Sequence, residues 1–437
     1  MKKTEFCSAF LQEKYQLIEH ESGLSIYVFP KRLTTSYALF SVKYGSVDNS
    51  YRNDQGELVC LPNGVAHFLE HKLFDNADGS DSFARFSEYG ADANAYTTYN
   101  RTAYLFSCTE NFDRSLEELL RFVTHPYFTS ASVQKEQGII AEEIRMYEDN
   151  PWERAFQNML GAMYAIHPVR NNICGSVESI KRITHKLLYD CYQRFYRLSN
   201  MALVVCGDLS AEDVLEVADR VLPKDEKDQE VARVSVLDLE PVQKPYVEEE
   251  MQVAKPIFYL GFKDVIIGET PEQRLRRDAV MTLLGEILFS RSGDFYNRLF
   301  EEELITSAYS FGYSGGDDFA FFDLCGESDC PDVIKERLLL YLEQVRERGI
   351  SQSDFERCKR VLYADEIRCY DSTEEIANRL LSFVFDGADM FSYPSVMQSV
   401  TIEETEALLA DLLKPENLVL SVIKPFQKGS NRKDQQT

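Results

Sequence analysis

The sequence predicts an α+β fold built twice, as two homologous domains that each carry a mostly antiparallel sheet covered by helices. Three observations predict it. At 437 residues with 44% hydrophobic composition, the chain is long enough for two cores. β-rich runs such as TSYALFSVKYG (35–45) and KPIFYLGFKD (255–264) are mixed with helical stretches such as SLEELLRFV (115–123) and ITHKLLYDCYQRFY (183–196), without strict β-α-β alternation. Finally, the halves match at one offset. AYLFSCTE at 103–110 and AFFDLCGE at 320–327 are 217 residues apart, each followed by an amphipathic helix, and NMALVVCG from Asn200 falls on NLVLSVIK from Asn417 at the same offset.

Domain limits follow from composition. Residues 1–225 form a first domain, 226–248 a charged, proline-bearing linker, 249–427 a second domain, and 428–437 (KGSNRKDQQT) a polar tail. The formal charge of −25 argues against nucleic-acid binding and against adsorption to anionic lipid. No apolar run approaches the ~20 residues that span a bilayer, and charges interrupt the N-terminal segment where a signal peptide needs an apolar core. The expectation is a soluble, cytoplasmic protein. Ten scattered cysteines without a CxxC pair read as reduced thiols, mostly small buried hydrophobes.

The chemistry concentrates in HFLEH, residues 67–71. Only six histidines occur in the chain, and two of them flank Glu70 here. GVAHFLEHKLF reads as helix with Asn63-Gly64 at its start. At about 100° per residue His71 lies about 40° from His67, so the two imidazoles sit one above the other and can bind one zinc ion. Glu70 lies about 60° to the other side, placed to take a proton from a metal-activated water as general base. The spacing HxxEH is that of the inverted zincins. A histidine-rich catalytic zinc commonly adds a carboxylate, and the best stretch for it is QKEQGIIAEEIRMYEDNPW (134–152). It reads as helix up to Asn150-Pro151, with Glu136 and Glu143 two turns apart on one face around Ile140, while Glu142 and Glu148 suit solvent. At the 217-residue offset His67, Glu70 and His71 fall on Leu284, Ile287 and Leu288. The second half repeats the architecture without the chemistry.

HFLEH followed about seventy residues later by EQGIIAEEI resembles the insulinase and pitrilysin family of inverted-zincin metallopeptidases, in its processing-peptidase-like branch and, within that, the peptidases of this type in Gram-positive bacteria. The resemblance implies one Zn²⁺ per chain held by His67, His71 and Glu143, with Glu70 as base and Glu136 as the acid that positions a ligating histidine. ADANAYTTYNRTAYLF then matches the edge strand on which a substrate peptide adds, with Ala93, Asn94 and Ala95 touching it through backbone. Relatives of this kind pair two such two-domain units around a chamber for unfolded peptides, which implies a homodimer or a heterodimer with a related subunit lacking the zinc motif. The family's opposite wall offers an arginine and, seven residues on, a tyrosine. Tyr309 fits the tyrosine as a second catalytic group, but Glu302 stands where the arginine belongs, leaving Arg298, one turn earlier, as a substitute for substrate binding.

The function implied is a zinc endopeptidase for peptides or small unfolded proteins. The alternative is a non-catalytic assembly subunit that keeps the fold; retention of His67, Glu70, His71 and Glu143 speaks against it. The glycines of GYSGGDDF read as a loop between strands, since no phosphate-loop lysine follows.

Overall fold

β1 (Lys2–Ser8), β2 (Glu13–Glu19), β3 (Ser25–Pro30) and β4 (Ser36–Val42) open the chain, followed by a small ribbon of β5 (Ser50–Arg52) and β6 (Leu58–Cys60). β7 (Asp92–Thr97), β8 (Thr102–Cys108) and β9 (Met201–Gly207) complete a seven-stranded sheet ordered β1-β2-β3-β9-β4-β8-β7. The computed structural model describes residues 1–53, 55–223, 231, 233–268 and 270–426; the predicted tail and the charged opening of the predicted linker lie outside them.

The second sheet comprises β10 (Tyr246–Met251), β11 (Ile257–Lys263), β12 (Tyr309–Gly315), β13 (Ala320–Glu327) and β14 (Leu418–Pro425), ordered β10-β14-β11-β13-β12. Its connectivity repeats the first. β14 lies between parallel β10 and antiparallel β11, as β9 lies between parallel β3 and antiparallel β4. β13 and β12 then follow antiparallel, as do β8 and β7. The two pairs of segments matched in sequence are β8 with β13 and β9 with β14, so the expected duplication is visible as topology. The central strands explain their own composition: MALVVCG of β9 is buried at every position, as a strand covered on both faces must be. Of GYSGGDDF, expected to be a loop throughout, residues 312–315 finish β12 and only 316–319 form the turn to β13, the strand ends pairing at Gly315 and Ala320.

Packing divides the chain into two compact units that are not contiguous in sequence. The first comprises residues 1–144, 172–235 and 363–395, and the second 145–171, 236–362 and 396–437. This departs from the uninterrupted spans 1–225 and 249–427. In the first unit the helix Thr373–Phe385 lays Ile376, Ala377, Leu380 and Leu381 on β4 and β9. Within the second, the helix Pro151–Met163 packs Ala155 with Ile257 of β11 and Ile423 of β14. Each half of the sequence therefore supplies one helix to the other half's sheet. An amphipathic stripe demands a sheet to cover but carries no label for which one.

The predicted linker is also more structured than an exposed connector. Asp238 is buried, receives the backbone N–H groups of Ala165 and Ile166 at 2.7 Å each, and pairs with the buried Lys263 ammonium at 2.7 Å. β10 begins at Tyr246, inside the segment.

Candidate metal centre

The helix carrying HFLEH spans Val65–Lys72 and starts where the sequence places it. Gly64 at its N-cap has φ +92°, and a Cβ there would lie 2.4 Å from the Cys174 carbonyl oxygen. Gly175, at φ +78°, would likewise drive a Cβ to 2.4 Å from the Asn63 carbonyl oxygen. Only glycine allows both the left-handed backbone and this approach. The 63–64 and 174–175 loops are thus pressed together, and Ser179 Oγ ties them by donating to the Asn63 carbonyl at 2.8 Å.

On this helix the rings of His67 and His71 lie 4.6 Å apart between centroids. Glu143 comes from the helix Ser130–Asp149, which is anchored by fully buried Ile140 and ends at Asn150. Asn150 caps the next helix by accepting from Trp152 N–H at 3.0 Å, with Pro151 in its first turn, so the predicted stop is also a start. The Glu143 carboxylate offers one oxygen to each imidazole: Oε1 lies 3.6 Å from His67 Nε2 and Oε2 lies 3.4 Å from His71 Nε2. Glu136 Oε1 accepts from His71 Nδ1 at 3.1 Å, which turns Nε2 of that ring toward Glu143 as the nitrogen that would meet an ion. The buried Lys72 ammonium stands 3.7 Å from the other Glu136 oxygen.

These separations fit a metal ion. Two donors on a tetrahedral ion with bonds of ~2.0 to 2.3 Å stand about 3.3 to 3.8 Å apart. The imidazole-to-carboxylate separations of 3.6 and 3.4 Å fall in that range and are too long for good hydrogen bonds. Glu143 Oε2 is moreover buried without a hydrogen-bond partner among the described residues, an arrangement that costs about 1–3 kcal/mol or more unless a cation is supplied. The charges agree. Burial works to depress the His71 pKa, but Glu136, Glu143 and the nearby Glu70 outweigh it and hold the ring at about 10. The two imidazoles hold Glu143 well below the usual carboxylate range. Without a metal, the cluster attracts a proton in its place.

Glu70 joins His67 and His71 in a set of ligand-type atoms within 4.8 Å of one another. Its Oε2 accepts a 2.5 Å hydrogen bond from the Thr97 hydroxyl on β7. Among the described residues β7 pairs only with β8 in the sheet, through Ala93–Phe106, Asn94–Leu105 and Ala95–Tyr104, and its other side is an edge. The next strand residue, Tyr96, donates its hydroxyl to Asn378 at 3.0 Å, and Asn378 in turn donates to Tyr37 at 3.2 Å. Sequence reasoning missed Thr97 and Cys174, whose Sγ lies 3.7 Å from His67 Nε2. Nothing local to either marks a site, because both meet partners remote in sequence.

Tyr309 and Arg298 belong to the second unit. Tyr309 opens β12 with a buried hydroxyl that has no hydrogen-bond partner among the described residues. Burial pushes its pKa well above the ordinary phenol value, so the group is a protonated donor. Arg298, on the helix Asp294–Glu301, is exposed and stands 3.8 Å from Asp294. Glu302, at the family arginine's position, pairs with Arg337 at 3.0 Å. Leu284, Ile287 and Leu288, which replace the zinc motif in the repeat, are buried on the helix Pro271–Phe289.

Residues 52–177 match the model for insulinase, peptidase family M16, and residues 182–362 the model for the M16 inactive domain. An uncharacterised zinc protease of Bacillus subtilis, YmfH, is 37% identical over 95% of this chain and 97% of its own. The chain belongs to the insulinase family, M16. A solved M16-like peptidase of Alicyclobacillus acidocaldarius superposes with a TM-score of 0.90 at 32% identity, covering 94% of this chain and 98% of the other. The human mitochondrial-processing peptidase subunit beta is 28% identical over 45% of this chain and 40% of its own. Family members are named zinc proteases, and the inactive-domain match, 182–362, includes Leu284, Ile287 and Leu288, the apolar counterparts of the HxxEH positions. Among the described residues no helix is long and apolar enough to cross a membrane.

Proposed function

We propose that this chain is a zinc-dependent endopeptidase acting on peptides or small unfolded proteins. The convergence of both imidazole Nε2 atoms on Glu143, with Glu70 on the same helix, carries the reading. His67, His71 and Glu143 would hold the ion and Glu136 would fix the His71 ring. Zinc, when bound, supplies Lewis acidity that polarises a carbonyl and acidifies a coordinated water. Glu70 takes the proton of the attacking water and returns it to the departing amine, as one carboxylate can in both steps. Thr97 holds that carboxylate through Oε2 and leaves Oε1 for the proton.

The open edge of β7 receives an extended peptide as an added strand, through the backbone of Ala93, Asn94 and Ala95. This mode suits unfolded chains, because a folded segment has its backbone groups already paired. Tyr309 stabilises the oxyanion with its unpaired hydroxyl, and Arg298 binds substrate in place of the absent arginine. The chain works as a homodimer or with a related subunit lacking the zinc motif, in keeping with the partial match to a processing-peptidase subunit.

Cleavage of a mixed unstructured peptide library by zinc-loaded wild type and Glu70→Gln tests the proposal. The expected loss in the variant is on the order of 10²- to 10⁴-fold with zinc retained. Equal cleavage by both proteins would overturn the role of Glu70, and no cleavage by a zinc-loaded wild type supplied with a second copy would favour a non-catalytic subunit.

A further inference from the structure

Beside His67 and Glu143 in the metal reading stands a cysteine thiol. Cys174 is buried, belongs to no disulfide, and points its sulfur at His67 Nε2 from 3.7 Å. His67, Glu143 and Cys174 together place one ligand atom each within 4.8 Å of the others. The 3.7 Å hydrogen-bond contact is also close to the separation of a nitrogen and a sulfur on one tetrahedral zinc, about 3.5 Å for bonds of ~2.0 and ~2.3 Å. Glu143 Oε2, 3.4 Å from His71 Nε2 and without a hydrogen-bond partner among the described residues, joins Cys174 to the cluster already described rather than marking a separate site. A small apolar residue would fill this volume equally well, but it would not put a donor atom at ligand distance. The backbone is also committed to delivering it: the carbonyl of Cys174 is the group that Gly64 approaches, so the turn that starts the HFLEH helix and the turn that presents the thiol fix each other.

We propose that Cys174 is a further protein ligand to this metal, competing with water for the position that hydrolysis requires. The inference rests on the metal reading above. When the ion binds, the S–H bond breaks, the proton passes to solvent, and the freed sulfur electron pair forms the bond to the metal. A thiolate is a stronger zinc ligand than water, so the substrate-free protein rests with its reactive position closed. With zinc bound, water would have to take that position from the sulfur before hydrolysis, the released thiolate regaining a proton from solvent.

Co²⁺, added alone to the metal-stripped full chain, reads this directly, because a cobalt–thiolate bond gives an intense near-ultraviolet charge-transfer band that nitrogen and oxygen ligands lack. Wild type is expected to take up about one equivalent and show the band. Cys174→Ser and Cys174→Val are expected to take up the same equivalent without it and to hold zinc roughly tenfold more weakly in competition with a chelator. The exposed Cys60→Ser control keeps the band. Stoichiometric cobalt without the band in wild type, or a band that survives in both Cys174 variants, would overturn the ligand while leaving the metal centre intact. Failure of wild type and variants alike to bind cobalt would overturn the metal centre, and the Cys174 inference with it.

Discussion

Thr97 shows how much of this site depends on a residue with no chemistry of its own. Its hydroxyl donates to Glu70 at 2.5 Å and stands 3.3 Å from the Thr102 hydroxyl, which itself donates to the Tyr44 carbonyl. A carboxylate serving as base must keep one oxygen aimed at the water, and a fixed donor on the other oxygen secures that. Thr97→Val keeps the shape and removes the donor. It is expected to lower kcat roughly tenfold or more, the worth of a hydrogen bond to a charged group, with zinc content unchanged and Thr97→Ser largely restoring the rate. Steady-state kinetics beside metal analysis check this, and an unaltered kcat would remove Thr97 from the mechanism. His67, Glu70 and His71 were readable because they share one helix turn, and Glu136 and Glu143 because a seven-residue spacing puts them on one helix face. Thr97 and Cys174 were not, since β-sheet pairing and a glycine-to-carbonyl contact bring them in from elsewhere.

Among the elements, the predicted linker shows what a charge pattern hides. Asp238 reads as one acid among many in a polar segment, yet it is buried against Lys263 and the N–H groups of Ala165, Ile166 and His167. Burial raises its pKa, but the Ile166 and His167 N–H groups and the Lys263 ammonium overcome this and hold it at about 2. A depressed carboxylate stabilises the fold above its unfolded pKa of about 4, and that contribution is lost as pH falls toward about 2. Acid unfolding followed by circular dichroism should therefore steepen between about pH 4 and 2. Asp238→Asn should flatten that part of the curve and cost about 3–5 kcal/mol at neutral pH by leaving the Lys263 charge buried and unpaired. An unchanged acid limb in the variant would show that the pair is not a stability determinant. The strands themselves were legible from their apolar runs; the polar alternation of β1 and β2 was not, because a strand pair with one exposed face resembles a charged loop.

For the whole molecule, the duplicated topology was readable from the common 217-residue offset, but the boundaries of the compact units were not. Residues 145–171 and 363–395 cross between sequence halves, and neither their amphipathicity nor their loops say so. One consequence is that residues 1–225 alone lack the helix Thr373–Phe385 that covers β4 and β9. Expressed by themselves they should be insoluble or bind a hydrophobic dye as partly folded proteins do, and a cooperatively folding 1–225 fragment would contradict that packing. The net charge of −25 concerns solubility and encounter with basic peptides, and carries no information on this exchange. The most direct test of the metal centre is zinc content by mass spectrometry on the full chain, wild type beside Glu143→Gln, purified identically and confirmed folded. About one zinc per wild-type chain, lost or sharply reduced in Glu143→Gln, is the expected result; no zinc in folded wild type after reconstitution, or equal zinc in both, would contradict the site built from His67, His71 and Glu143.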